Sequence, residues 1–156
     1  MDHPPPHITI RPAQAQDQPD LERIAAAAYR QYIPVMGRKP APMLADYGHH
    51  LARDTVFVAE AGGDVLGYAI LISKKTGWWL ENIAVAPDHA GQGIGRLLLD
   101  HLEDCLAGRA GYYQLYTNRL MARNIGWYRR MGFEETHRRT EDGYERVFFR
   151  KSLART

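Results

Sequence analysis

Hydrophobic positions along the chain follow two spacings, and the changes between them outline the secondary structure. Apolar residues recur every three or four positions over 17–29, 94–106 and 120–130, which predicts three amphipathic helices. A weaker helical pattern covers 43–52. Runs of alternating or continuous apolar residues predict strands, which lie at 8–11, 55–60, 65–72, 78–86, 112–117, 133–139 and 144–150.

The order of these elements predicts the fold class. One strand, two helices, three strands, a helix, a strand, a helix and two strands fit an α/β (α+β) fold with helices on both faces of a mixed sheet. Turns at 62–64 and 141–143 join neighbouring strands as hairpins. The 156 residues contain no repeat and no internal linker, so we expect a single domain over 1–156. Three consecutive prolines make 1–7 a predicted flexible tail.

A glycine-spaced turn separates the strand predicted at 78–86 from the helix predicted at 94–106. It reads P-D-H-A-G-Q-G-I-G-R-L-L-L over 87–99. Glycine lets the backbone approach a ligand, and the first turn of a helix presents unpaired N–H groups and the positive end of the helix dipole. The junction therefore predicts a phosphate site. Its spacing is not that of a dinucleotide loop, and the G-K-[ST] of a P-loop occurs nowhere in the chain.

Charge and composition narrow the class of ligand. The formal net charge is +2 with acidic and basic residues interspersed, so we expect a small ligand and neither a nucleic-acid nor a membrane partner. The chain has no apolar span long enough for a bilayer and no signal segment, which makes a cytoplasmic location the expectation. The single cysteine, Cys105, is expected on the apolar face of its helix, in the hydrophobic core. The seven histidines show no metal-ligand spacing, and no metal is expected.

Two segments carry a resemblance to a known family. The first, I-A-V-A-P-D-H-A-G-Q-G-I-G-R-L-L-L, covers 83–99, and the second, M-A-R-N-I-G-W-Y-R-R-M-G-F, covers 121–133. They are similar to the acetyl-CoA pyrophosphate loop and to the Asn-containing, Tyr-ending helix of the GCN5-related N-acetyltransferase (GNAT) superfamily, in its small bacterial form. The resemblance implies the GNAT fold, with a mostly antiparallel sheet that splays between its fourth and fifth strands, here 80–86 and 112–117.

The resemblance also implies acetyl-CoA as co-substrate and assigns its contacts. The implied cofactor-binding residues are Ile83, Ala84, Val85, Gly91, Gln92, Gly93, Ile94, Gly95, Arg96, Asn118, Asn124 and Tyr128. The sequence departs from the family's [RQ]-x-x-G-x-[GA] pattern because Ala90 stands where Arg or Gln is usual. One side-chain contact to the cofactor is therefore expected to be missing, while the backbone N–H groups of the loop remain.

Two residues are candidates for catalytic roles. Tyr128 stands at the family's tyrosine position beside the leaving sulfur, where it would donate a hydrogen bond; the alternative is an aromatic anchor in the core. Glu81 is the candidate base, acting directly or through a water, because strand alternation groups it with Trp79, Ile83 and Val85. The alternative is an ion pair between Glu81 and an arginine. The same alternation predicts that the next residue, Asn82, lies on the opposite face.

The expected activity is acetyl transfer to a primary amine, on a small molecule or on a peptide or protein, by direct attack in a ternary complex. A backbone N–H at Val85 or Ala84 would stabilise the oxyanion. Candidates for the amine pocket, or alternatively for the core, are Tyr29, Tyr32, Met36, Met43, Tyr47 and Tyr144. The alternative function is a non-catalytic module that binds CoA or acyl-CoA, which Ala90 favours and Asn124 and Tyr128 disfavour. The sequence does not decide whether the protein is a monomer or a homodimer.

Overall fold

A computed structural model describes residues 7–153, so the tail predicted over 1–7 lies outside the described residues apart from His7. Within this part the strands are β1 (Thr9–Pro12), β2 (Thr55–Ala61), β3 (Asp64–Lys74), β4 (Gly77–Val85), β5 (Tyr112–Asn118), β6 (Glu134–Glu141) and β7 (Tyr144–Ser152). The α-helices are α1 (Gln18–Tyr29), α2 (Ile33–Met36), α3 (Tyr47–Arg53), α4 (Ile94–Leu106) and α5 (Ala122–Arg130).

All the strands belong to one sheet, in the order β1-β2-β3-β4-β5-β7-β6. Every neighbouring pair is antiparallel except β4 and β5. These two strands pair in parallel at a single position, where Trp79 lies opposite Gln114, and they separate beyond it. The mixed, mostly antiparallel sheet that splays between its fourth and fifth strands is therefore confirmed.

Buried side chains form one apolar cluster on each side of the sheet. Helices α4 and α5 cover the first cluster, in which Leu98 packs with strand residues such as Ala69. Helices α1 and α3 cover the second, over β2, β3 and β4, in which Leu21 packs with residues such as Tyr68. Adjacent residues of β3 thus face opposite clusters, as the two-residue period of a strand requires.

Some local predictions differ from the structure. The helix predicted over 43–52 begins only at Tyr47, because the Asp46 side chain accepts the N–H of His49 and caps the helix there. Cys105 is exposed, so its predicted place in the core is wrong; the buried stripe of α4 runs through Leu98, Leu102 and Leu106 and passes beside it. Within residues 7–153, no helix combines the length and apolar character that crossing a membrane requires.

Candidate active site

The glycine turn before α4 leaves an open site for an anion. Gly91 and Gly93 adopt left-handed φ angles of 80° and 77°, and a Cβ at either residue would meet nothing within 4 Å. Gly93 caps α4 without a side-chain hydrogen bond. The N–H groups of the first helical turn, beginning at Ile94, are therefore left for a ligand.

Gly95 has a packing role in addition to its predicted place at the cofactor. A Cβ at this position would lie 2.7 Å from Cζ2 of Trp127. The glycine permits a close contact between α4 and the indole of α5, so its small size is required for packing. This contact holds the glycine turn and the helix that carries Tyr128 against each other as neighbouring walls of one groove.

This groove, of about 570 Å³, runs from the glycine turn along the end of β4. It is lined by ten of the twelve residues predicted to bind the cofactor, namely Ile83, Ala84, Val85, Gly91, Gly93, Ile94, Gly95, Arg96, Asn124 and Tyr128. Gln92 is not among the lining residues. Asn118 lies at a second cavity instead, where its Oδ1 accepts the N–H of Leu120 at 2.9 Å. Two cations outside the predicted set, Arg123 and Arg130, also line the groove.

Tyr128 combines a buried ring with an available hydroxyl. The ring packs against Trp127, Phe133 and Phe149 with centroid distances of 5.5, 5.8 and 6.1 Å. Burial raises the pKa of the hydroxyl, so the phenol keeps its proton. No residue in the described part of the chain hydrogen-bonds it. The ring of Tyr128 is thus an aromatic anchor in the core, as the alternative interpretation predicts. Its hydroxyl remains free to bind a ligand.

A smaller cavity of about 100 Å³ lies on the far side of Tyr128. Tyr29 and Tyr128 line both this cavity and the groove, so the two spaces meet at their rings. Three of the predicted pocket residues line the cavity, namely Tyr29, Met36 and Tyr144. Tyr32 lines the groove, whereas Met43 and Tyr47 line neither space.

A β-bulge in β4 falls at Glu81. Leu80 and Asn82 pair with consecutive residues of β3, so Glu81 between them has no partner on that strand. The extra residue resets the alternation, and Leu80 and Ile83 both belong to the cluster under α4. The prediction that Glu81 shares a face with Ile83 and Val85 is therefore wrong, because both pack with the cluster under α4. Trp79, which precedes the bulge, lies on the Glu81 side as predicted, and its ring contacts Tyr116 of the small cavity. Glu81 and Asn82 line the same small cavity, although alternation predicted opposite faces for them.

Asn82 is the centre of a buried hydrogen-bond cluster. Its Nδ2 donates to the hydroxyls of Tyr47 at 2.8 Å and Tyr68 at 2.9 Å, and its Oδ1 accepts from the Tyr29 hydroxyl at 3.1 Å. Burial raises the pKa of all three tyrosines, which keeps their hydroxyls protonated. The cluster ties α1, α3 and β3 to the bulge and so fixes the backbone beside Glu81.

Glu81 forms no ion pair with any residue in the described part of the chain. Arg146 also lines the small cavity but pairs with Glu141, and His50 pairs with Asp54 at 2.7 Å. The structure therefore contradicts the alternative interpretation, in which Glu81 pairs with an arginine. Sequence reasoning missed Arg146 and His50 because only tertiary contacts bring them to the cavity. No group of three or more potential metal ligands occurs in the described part of the chain.

The sequence model of the acetyltransferase (GNAT) domain matches residues 52–135, more than half of the chain. The chain belongs to the GNAT acetyltransferase family. The matched GNAT region contains β4 with its bulge, the glycine turn, α4 and the helix that carries Asn124 and Tyr128, which are the elements around the groove.

Named GNAT relatives differ in how much of the chain they match. Streptothricin acetyltransferase of Streptomyces lavendulae is 41% identical over 88 residues, which span 53% of this chain and only 46% of that protein. The structure of the ribosomal-protein-S18-alanine N-acetyltransferase from Escherichia coli is 25% identical, covers 96% of each chain and gives a TM-score of 0.70. A GNAT family acetyltransferase from Elizabethkingia anophelis, solved with acetyl-CoA bound, shares the fold at 18% identity with a TM-score of 0.67, over 94% of this chain and 98% of that one.

Proposed function

We propose that this GNAT protein transfers the acetyl group of acetyl-CoA to a primary amine by direct attack in a ternary complex. The observation that carries the proposal is the junction at Tyr128. There a long groove with the open glycine turn at one end meets a small cavity that contains the Glu81 carboxylate, which has no ion-pair partner among the described residues. Two spaces that meet at one phenol suit a reaction between two substrates bound at the same time.

The groove fits acetyl-CoA, which supplies an activated acetyl thioester when bound. The open turn at Gly91 and Gly93 and the first N–H groups of α4 would hold the diphosphate. Asn124 lies on the groove one helical turn before Tyr128 and would bond the amide arm. Ala90 lines the groove without a polar side chain, so at this position only the backbone would contact the phosphates. Arg96, Arg123 and Arg130 are the cationic side chains that line the groove.

The end of β4 would supply the oxyanion donor. The Ala86 N–H donates to the Leu66 carbonyl oxygen on the next strand at 2.8 Å. Because successive residues of a strand direct their N–H groups to opposite edges, the N–H of Val85 faces away from β3. Val85 also lines the groove. We therefore assign the donor to Val85 rather than Ala84.

An amine in the small cavity must lose a proton before it attacks. A lysine-like amine with a pKa of about 10.4 is neutral in only about one molecule in 2,500 at pH 7, a cost of roughly 4.6 kcal/mol. Glu81 would accept this proton directly or through a water, and its charge also attracts the ammonium form. Tyr128, kept protonated by burial, would donate a hydrogen bond to the departing thiolate sulfur.

The acceptor would be a small amine or an amine of a peptide or protein. The names of two relatives, streptothricin acetyltransferase and ribosomal-protein-S18-alanine N-acetyltransferase, represent these two classes. The lining of the small cavity is mixed, with Met36 and Tyr144 as apolar surfaces and Glu81 and Arg146 as charged groups, of which Arg146 is paired with Glu141. This composition suits an amine on a partly apolar carrier.

Two measurements test the proposal. Acetyl-CoA should raise the melting temperature more than ATP or NAD does, because a ligand that binds only the folded state stabilises it. An assay of thiol release over a panel of small amines and N-terminal peptides should then show release above hydrolysis for at least one amine. Stabilisation without thiol release for any amine would instead assign the chain to the alternative, a module that binds CoA without catalysis.

A further inference from the structure

The half of the sheet beyond β4 has one face that no helix packs against in the described part of the chain. On the other face, Leu115 of β5 and Phe149 of β7 are buried in the cluster that α4 and α5 cover. The cluster under α1 and α3 includes no residue of β5, β6 or β7 among residues 7–153. Strand β6 is exposed along almost its whole length. We refer to this uncovered face of β5, β7 and β6 as the open face.

A row of aromatic rings crosses the open face and its border with β4. Trp79 of β4, Tyr116 of β5, Phe148 of β7 and His137 of β6 follow one another, one ring on each strand. The distances between successive ring centroids are 6.4, 5.4 and 4.3 Å. The row therefore continues from strand to strand across the sheet.

Cationic side chains lie over rings of this row and over the neighbouring ring of Tyr112. Measured from the guanidinium carbon to the ring centroid, Arg139 lies 4.8 Å above Phe148, Arg146 lies 4.5 Å above Tyr116 and Arg150 lies 4.1 Å above Tyr112. Lys74 lies 5.5 Å from the ring of Trp79. Glu141 pairs with Arg139 and Arg146, and Glu134 lies opposite Arg150 in the strand register. Arg38 also lies 3.5 Å over the ring of Tyr144, and Glu81 and Asp142 lie near Tyr116. With these groups, five cations stand against four carboxylates, so the open face carries a small excess of positive charge.

The open face begins at the small cavity. Tyr116, Tyr144 and Arg146 line this cavity and also belong to the open face. A chain attached to an amine in the cavity would therefore continue onto the open face. The step along β7 from Arg146 to Arg150 spans about 13 Å, the length of about four residues of extended peptide.

We propose that the acceptor amine belongs to a peptide or protein segment whose next few residues are acidic, and that the open face binds this segment. The inference rests on the proposed acetyl transfer and specifies its substrate class. Carboxylates of the segment would pair with Arg139 and Arg150, while the ammonium group enters the cavity beside Glu81. The open face would thereby orient the amine towards the junction at Tyr128.

Other occupants match the open face less well. A single-stranded nucleic acid binds through bases stacked on accessible rings, but Phe148 is only 3% exposed beneath Arg139 and His137. A second copy packed through the same face would bring like charges together, which costs free energy. An acidic segment needs only the guanidinium groups, of which Arg139 has 56% of its side chain exposed.

The test compares three peptides of equal length that begin with alanine and continue with glutamates, lysines or alternating glycine and serine. The kcat/KM of the glutamate peptide should exceed that of the lysine peptide about tenfold or more, and added salt should reduce the difference. Replacing both Arg139→Glu and Arg150→Glu should lower kcat/KM for the glutamate peptide about tenfold. Turnover of a small amine should stay the same in this double variant.

The matched control is Arg138→Glu. Arg138 is the neighbour of Arg139 on β6, but it pairs with Glu135 on the other face of the strand, and its side chain is similarly exposed at 53%. This variant should leave the ranking of the three peptides unchanged. An effect as large as that of the double variant would mean that overall charge, and not the open face, selects the peptide, and it would overturn the proposal.

The remaining outcomes separate this inference from the proposed function. Equal kcat/KM values for the three peptides, preference for lysine, or acetylation of small amines but of no peptide would overturn the acidic-segment proposal and leave acetyl transfer intact. An RNA oligonucleotide that inhibits the wild type but not the double variant would assign the open face to nucleic acid and would also overturn it. If no amine and no peptide caused thiol release, both the acidic-segment proposal and the proposed acetyl transfer would be overturned.

Discussion

Individual side chains would determine the chemistry that we propose at the junction between the groove and the small cavity. The ring of Tyr128 is fixed by aromatic packing while its hydroxyl stays unbonded by any described residue, and Glu81 reaches the cavity from a bulge in β4. Asn82 holds that bulge through hydrogen bonds to three tyrosine hydroxyls. The proposed hydrogen-bond donor, Tyr128, and the proposed base, Glu81, therefore line the same cavity, each positioned by buried neighbours.

Tyr128→Phe should lower kcat more than it weakens acetyl-CoA binding. The phenylalanine ring keeps the packing and removes only the hydroxyl that would stabilise the thiolate, so we expect kcat to fall about tenfold to a hundredfold. Steady-state kinetics and calorimetry with acetyl-CoA measure the two effects. The control is Tyr113→Phe, which removes a buried hydroxyl that donates to Glu103 away from both spaces and should leave kcat unchanged. An unchanged kcat in Tyr128→Phe would assign this tyrosine to packing alone.

Glu81→Gln should lower kcat/KM and remove the acid-side decline from its pH profile. Glutamine keeps the size of the side chain but cannot accept the proton of the ammonium group. We expect a loss of about a hundredfold near neutral pH, measured as kcat/KM across the pH range. Glu22→Gln, on the exposed surface of α1, controls for the loss of one negative charge. If Glu81→Gln retained the wild-type pH profile, Glu81 would not be the base.

The contact between α4 and α5 shapes the groove. α4 begins at the glycine turn and α5 carries Asn124 and Tyr128, so their mutual position sets the distance from the anion site to the phenol. The two helices come closest at Gly95 and Trp127, where a Cβ at position 95 would lie only 2.7 Å from Cζ2 of the indole. The groove therefore depends on a helix–helix contact that tolerates no side chain at position 95.

Gly95→Ala should destabilise the protein and weaken acetyl-CoA binding together. The added methyl group must displace the Trp127 indole, and overpacking of this kind costs about 1–3 kcal/mol in the free energy of unfolding. Urea unfolding and calorimetry with acetyl-CoA check both effects. Gly111→Ala is the control, since a Cβ there meets nothing within 4 Å, and it should change the free energy of unfolding by less than about 0.5 kcal/mol. Wild-type stability and affinity in Gly95→Ala would contradict the packing argument.

The sheet as a whole combines two halves that separate at β4 and β5, with buried tyrosines near the separation. Tyr29 and Tyr68 meet at Asn82, and Tyr128 closes the junction from the other side. Burial raises the pKa of each of these hydroxyls above its ordinary value of 10.0. These phenols therefore link the stability of the fold to pH on the alkaline side.

Stability should fall as the pH rises above about 10. Below that value the three tyrosines are protonated in both states, and their contribution is fully present. Above it the unfolded chain loses these protons while the folded chain keeps them, so unfolding becomes more favourable. Melting temperatures from about pH 8 to about pH 11, with the ultraviolet absorbance of tyrosinate, measure the effect. A melting temperature that holds steady or rises across this range would contradict it.

The sequence alone was sufficient for the order of strands and helices, the splayed sheet and the family. The splayed sheet and the family were implied by the resemblance of segments 83–99 and 121–133 to the GNAT superfamily. The order of elements, apart from the short α2, follows from local spacing, because periods of two and of three or four residues identify elements, and a glycine turn between a strand and a helix predicts an anion site. Ten of the residues proposed from the sequence to contact the cofactor line one groove for the same reason, since they lie on contiguous segments around that turn.

Tertiary structure alone decided the small cavity and the open face. The bulge at Glu81 is visible only in the pairing of β4 with β3, because period-two alternation contains no signal for an extra residue. Arg146 and His50 reach the cavity from β7 and α3, which are distant in sequence and meet only when the chain folds. Local spacing determines which element a residue occupies, whereas packing between elements determines which side chains share a site.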